Sequence, residues 1–225
     1  VCAPFFTTGV NELQTLANKL SLALVRRQGE INTAAARVLR DYTWRYVRTA
    51  VAERAAEAAA SVAAAGARGG PAAAQAAAHA AADALRPELV AAEGLVRLQQ
   101  RLEAEVAATV AAGGSASSRK ALSVHTVTTA LCRAMGGGKT VSCKSAKDRT
   151  SMIVTWEEAR LARQLGVPEP RAKALLSALR GEGVRRANVL KNTGKKKYAF
   201  NALQRSVLPD EITPPAYTCS GNTQS

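Results

Sequence analysis

The chain has 225 residues, with 31 Lys and Arg against 17 Asp and Glu, a formal net charge of +14. Hydrophobic residues make up 47% but aromatics only 4%, so alanine supplies much of the apolar share and buries little area per residue. The length allows one domain with an insertion, and the composition excludes an acidic disordered tail and a disulfide scaffold. The four cysteines, Cys2, Cys132, Cys143 and Cys219, contain no Cys-x-x-Cys pair. They read as reduced thiols of a cytosolic protein, with no metal site among them.

In chain order, the sequence opens without Met on an apolar stretch, Val1 to Phe6, and reads as a piece of something longer. Asn11 with Gln14 resembles a capping box, and Val10, Leu13, Leu16, Leu20 and Leu24 follow at helical spacing. A second helix is expected from Ile31 to Val51. Between Ala50 and Ala112, 28 of 63 residues are alanine, helical by propensity but short of large anchoring side chains. Gly66, Gly69, Gly70 and Pro71 interrupt this run, whose middle reads as an insertion or flexible spacer. Leu85, Leu89, Leu95, Leu98, Leu102 and Val106 restore an amphipathic pattern and predict a packed helix near 85–110. No run of 18 strongly apolar residues occurs, so no transmembrane segment is expected.

Gly113 to Ser118 reads as a linker. Beyond it, Ser123 to Met135 is apolar and ends at Gly136-Gly137-Gly138, and Lys139-Thr140-Val141-Ser142 is a short strand candidate. Helices are expected over Arg149–Leu165, Ala172–Arg180, Val184–Asn192 and Tyr198–Val207. The expected division is 1–51 as a first structural block, 52–118 as the alanine-rich insertion, 119–217 as the chemistry-bearing block and 218–225 as a tail.

The charge is concentrated in the second half. Residues 1–114 hold 12 basic against 10 acidic residues, a net of +2, and residues 115–225 hold 19 against 7, a net of +12. An anionic partner is expected there. The stretch between the strand candidate and the next helix reads Cys143-Lys144-Ser145-Ala146-Lys147-Asp148-Arg149-Thr150, a Cys-x5-Arg-Thr spacing. Small or flexible residues between Cys143 and Arg149 let backbone N–H groups of Lys144, Ser145, Ala146 and Lys147 converge on one anion. The positive end of the following helix faces the same point. Those charges favour the Cys143 thiolate, and the Arg149 fork can grip two phosphate oxygens. The result is a nucleophile under a held phosphate. Asp148 is the loop's one carboxylate. It fits a general acid, a group that orients water, or a helix cap. Thr150 can donate a hydrogen bond to the Cys143 sulfur.

The string CKSAKDRT followed by Ser151-Met152 resembles the signature of the inositol polyphosphate 4-phosphatase family. The resemblance extends to Gly183-Val184-Arg185-Arg186, to Asn188 through Asn192, to Lys197 through Gln204 and to Pro214-Pro215. Upstream it takes in Phe6 through Ala17. It covers roughly 1–25 and 122–217 and leaves out the alanine-rich middle.

What the resemblance implies is a phosphoinositide phosphatase. It would remove the 4-phosphate of phosphatidylinositol 3,4-bisphosphate without cofactor or metal, through a phosphocysteine intermediate. Cys143 would be the nucleophile, Arg149 the phosphate clamp and Asp148 a catalytic carboxyl. Lys144, Ser145, Ala146, Lys147 and Thr150 would bind substrate. The implied fold is an α/β, mostly helical domain with a cysteine-phosphatase (protein tyrosine phosphatase-like) P-loop between a short strand and a helix. The implied setting is cytoplasmic and peripheral on an anionic membrane surface. A protein phosphatase using the same spacing and a non-catalytic inositide-binding module are the alternatives. Nucleic acid is not expected, because no basic–aromatic pattern or recognised binding motif is present.

Overall fold

A computed structural model of the chain describes residues 3–5, 22–111, 118–143, 147–206 and 208–220. The expected helix opening at Asn11, the 113–118 linker apart from Ser118, the loop residues Lys144, Ser145 and Ala146 and the end of the tail lie outside them. The chain divides into two compact units, one built mainly on the helices before Lys139 and the other mainly on the residues from Thr140 onward.

The first unit starts from the alanine-rich sequence. Helix α1 (Leu22–Ala111) is broken at Gly70, whose φ of 74° and ψ of −165° are non-helical. Positive φ at this turn suits glycine. Pro71 follows at the start of the second arm, where its missing N–H costs nothing. The two arms run antiparallel. Gln99 Nε2 donates to the Ala36 carbonyl at 3.2 Å, and Arg54 Nε lies 3.3 Å from Glu88 Oε1. Small side chains let the arms approach: Ala58, Ser61, Ala77, Ala80, Ala81 and Ala84 face a common groove. The larger apolar residues sit at the open end of this hairpin. There Ala36, Leu39, Leu95, Leu102 and Val106 form a core with Val124, Val127 and Leu131 of α2 (Ser118–Ala134).

The second unit is a cluster of short helices. Helix α3 (Asp148–Gln164) buries Met152, Ile153, Thr155 and Ala159. It is followed by α4 (Glu169–Glu182), α5 (Val184–Thr193) and α6 (Ala202–Ser206). Two 3-10 turns, Asp210–Ile212 and Ala216–Thr218, close it. Pro168, Pro209 and Pro215 each stand immediately before the helix or turn that follows. Helices α4 and α5 join through Gly183, where a Cβ would collide with the Leu179 carbonyl oxygen. A side chain there would force the two helices apart.

The expected α/β architecture is overturned. Among the described residues no β-strand forms, and Lys139–Ser142 carry no ladder. The β-branched pair Thr140-Val141 suits a strand locally, but a strand needs a neighbour to take its N–H and C=O groups. Lys139 instead sends its Nζ to the carbonyl of His125 and to the Thr129 hydroxyl on α2. Extended pairing occurs as an isolated parallel bridge between Tyr198 and Cys219. The expected cysteine-phosphatase-type loop therefore has a helix after it and no strand before it. The helix expected from Tyr198 is also shorter: it starts at Ala202 because Tyr198 is spent on the bridge.

Candidate functional site

Helix α3 fixes the geometry around the cysteine loop. Its N-cap is Lys147, at φ −113° and ψ −113°, with no side-chain capping hydrogen bond. The Ser151 N–H reaches the Lys147 carbonyl at 3.0 Å as the helix begins. The N–H groups of Asp148, Arg149 and Thr150 lie ahead of that bond, at the positive end of the helix.

Cys143 is half-buried and forms no disulfide. Its N–H donates to Thr150 Oγ1 at 2.9 Å, seven residues on. The cysteine backbone is thus tied to the first turn of α3. Ser142 beside it is exposed and donates its hydroxyl to the Cys143 carbonyl at 2.9 Å. Arg149 and Lys147 are half-buried. Arg149 makes no hydrogen bond or ion pair among the described residues, so its guanidinium is uncommitted on the same turn as Thr150. The structure therefore ties the Cys143 backbone to Thr150, and Arg149 directly precedes Thr150 on the same turn. Lys144, Ser145 and Ala146 are outside the described residues.

Asp148 turns elsewhere. It is buried, 7% exposed, and is not a capping residue. Its Oδ1 accepts from Arg185 Nε at 2.6 Å and its Oδ2 from the Ala199 N–H at 2.9 Å. Both oxygens are acceptors. The carboxylate ties the start of α3 to α5 and to the segment after it.

Three arginines of this unit were given no role by the sequence, although Arg185 and Arg186 stand in a segment that carries the family resemblance. Arg180, 3% exposed, donates to Thr155 Oγ1 and to the carbonyls of Met152, Glu211 and Thr213. Burial pushes its guanidinium down to about 10, which leaves it charged at neutral pH. Arg186, 7% exposed, donates to the carbonyls of Gly181 and Lys196. Arg185 holds Asp148, and its Nη2 is buried with no hydrogen-bond partner. A signal for Arg186 existed: it shares the buried face of α5 with Val189, three residues on, so a charge stands in an apolar register. The lysine run at 195–197 is partly committed at the surface, since Lys196 pairs with the exposed Glu182 and Lys197 donates to the Tyr217 carbonyl.

Behind Asp148 lies Tyr198, fully buried, with its hydroxyl donating to the Arg180 carbonyl at 2.8 Å. Burial pushes its phenol up to about 12, against the nearby Arg186 charge, and Asp148 adds to the rise. An acid raised in this way keeps its proton in the folded chain after the unfolded chain has released it. Stability is full below pH 10 and is lost as pH rises from there to about 12. Tyr198→Phe gives up one hydrogen bond, about 1 kcal/mol, but removes this titration. Its deficit in urea unfolding should shrink by about 1.4 kcal/mol per pH unit above 10. A deficit that stays constant from pH 8 to 11 contradicts this.

Among the described residues no group of three or more His, Cys, Asp and Glu is placed to hold a metal ion. No helix among them is long and apolar enough to cross a membrane.

With this geometry in hand, comparison with known proteins adds the following. Residues 87–212 match the family model described as the INPP4A C-terminal domain. A human protein named inositol polyphosphate 4-phosphatase type II is 40% identical over 101 residues, which are 44% of this chain and 11% of that protein. A Pongo abelii protein named type II inositol 3,4-bisphosphate 4-phosphatase shows the same identity and coverage. A rat protein of the latter name is 38% identical over 104 residues, 46% of this chain and 11% of its own length. The chain thus spans 11% of the length of these relatives. No solved structure matches.

Proposed function

The chain belongs to the INPP4A C-terminal domain family, and on that premise we propose that it acts on phosphoinositides, removing the 4-phosphate of phosphatidylinositol 3,4-bisphosphate. The observation that carries this reading is the tie between Cys143 and Thr150, with the uncommitted Arg149 on the same helical turn. The names of the relatives supply the substrate class.

In this reading the Cys143 thiolate attacks the 4-phosphorus and the bond from phosphorus to the inositol oxygen breaks. That oxygen leaves with the proton carried by the monoanionic phosphate group itself. Water then attacks the phosphocysteine, releasing inorganic phosphate and restoring the thiolate. Arg149 and the N–H groups at the start of α3 stabilise the charge that gathers on the equatorial oxygens. Lys144 and Lys147 meet the charge of the remaining phosphate as compact cations, and Ser145 and Ala146 offer backbone N–H groups. No metal enters the scheme. With both oxygens engaged, Asp148 suits holding the turn in place better than donating a proton. The +12 net charge of residues 115–225 supports docking on an anionic membrane surface from the cytoplasmic side.

A panel of mono-, bis- and trisphosphorylated inositides with a phosphopeptide tests the reading. The 3,4-bisphosphorylated lipid should be turned over about tenfold or more faster than the others, leaving the 3-phosphate. Faster release from the phosphopeptide would instead favour a protein phosphatase. One observation favours a second reading: the chain spans 11% of its relatives, and its loop carboxylate is already committed. An inositide-binding module that needs further residues for turnover would bind the same headgroup and release no phosphate.

A further inference from the structure

We infer that Arg185 is a positioning residue of the phosphate site, acting through Asp148 on the first turn of α3. The inference rests on the proposed role of the Cys143 loop and extends it to a residue in a different helix.

The chain of contacts is short. Arg185 Nε holds Asp148 Oδ1 at 2.6 Å, and the Ala199 N–H holds Oδ2 at 2.9 Å. Asp148 is the first residue of α3. With its carboxylate fixed at two points, the backbone of that turn cannot rotate about the helix axis. Arg149 and Thr150 follow directly in sequence, and Thr150 Oγ1 accepts the Cys143 N–H at 2.9 Å. One ion pair therefore sets both the clamp and the nucleophile.

The pair is poorly built for stability alone. A brace made for strength matches two guanidinium donors to two carboxylate oxygens. Here the carboxylate gives its second oxygen to the backbone, and Arg185 Nη2 stays buried without an acceptor. The side chains are 16% and 9% exposed, so both charges have lost most of their water. Such a pair adds little net stability over apolar replacements, and an unmet buried donor is a cost. The arrangement makes sense as an orienting device, which fixes direction at some expense in stability.

The test uses the full chain and needs no turnover. Iodoacetate alkylates accessible thiolates, and peptide mass mapping reads the rate at Cys143 separately from the other three cysteines. Inorganic phosphate is the probe, because a phosphate held at the site shields Cys143. In the parent chain phosphate should slow alkylation of Cys143. In Arg185→Met the phosphate concentration giving half-protection should rise about tenfold or more, as for other supports of a bound group. Arg185→Lys keeps the charge but not the fork and should recover part of that loss. If Arg185→Met fails to fold, Arg185→Lys and Asp148→Asn supply the comparison, with a smaller shift in the same direction. Equal half-protection in the parent and in all folded variants overturns the inference, as does a parent Cys143 that phosphate does not protect. A merely structural role would lower the folded fraction without moving half-protection in the chains that remain folded. Phosphate protection without release of phosphate from any inositide would refute the proposed catalysis and leave the role of Arg185 standing.

Discussion

Cys143→Ser should lower phosphate release from the 3,4-bisphosphorylated inositide by about 10³-fold or more, with the urea midpoint of unfolding unchanged. The size follows from the chemistry. A serine hydroxyl near neutral pH is not an anion, so the attacking electron pair is lost while the held phosphate is not. Serine keeps the N–H that donates to Thr150 Oγ1 and the carbonyl that accepts from Ser142, and it is close to cysteine in size, so the fold should tolerate the change. Binding of the headgroup should therefore survive, and the variant should retain the lipid it cannot cleave. Phosphate release at the parent rate from Cys143→Ser would remove this residue from the mechanism.

The second large effect concerns stability. Arg180→Met should destabilise the unit that carries the site by about 3–5 kcal/mol. The guanidinium joins α3 to α4 and to the segment around the Asp210–Ile212 turn, with donor distances of 2.6 to 3.2 Å. Removing it leaves the carbonyls of Met152, Glu211 and Thr213 buried without that donor, and each unmet group costs about 1–3 kcal/mol. Methionine fills most of the volume, so the loss reports the hydrogen bonds more than a cavity. Lysine is no remedy, because one ammonium cannot reach acceptors spread around a planar fork. Circular dichroism in urea should show an earlier transition, and a midpoint equal to the parent's would show that the guanidinium is dispensable.

How much of this was legible differs from element to element. Helix α3 was readable because its signals are local: Met152 and Ile153 on one face, and Gly166 at φ 92° just past its end. The Cys143–Thr150 tie spans seven residues and lies within the motif. Asp148 was not readable. Its partners Arg185 and Ala199 stand 37 and 51 residues away, and no periodicity within α3 points to them. The strand expected at 139–142 failed for the converse reason, since β-branched residues signal a strand locally and its existence depends on a remote partner. Arg180 was hidden by its type. Arginine is usually exposed, and its burial here depends on carbonyls as far as 33 residues away.

The alanine-rich hairpin of α1 has a consequence for length. Gly29 lies against Val110, Ala36 meets Gln99, Arg54 faces Glu88 and Gly66 meets Ala74. The arms are therefore in a fixed register, like the two sides of a zip fastened at Gly70. Adding residues to one side alone would slide every later pair out of step and carry Leu39 away from Leu102. Adding whole helical turns to both sides together would lengthen the arm and leave the core at its open end untouched. Alanine makes such growth easy, because one alanine-faced turn packs much like the next. The segment thus has the geometry of an extensible arm, whose length can change without disturbing that core only in matched steps.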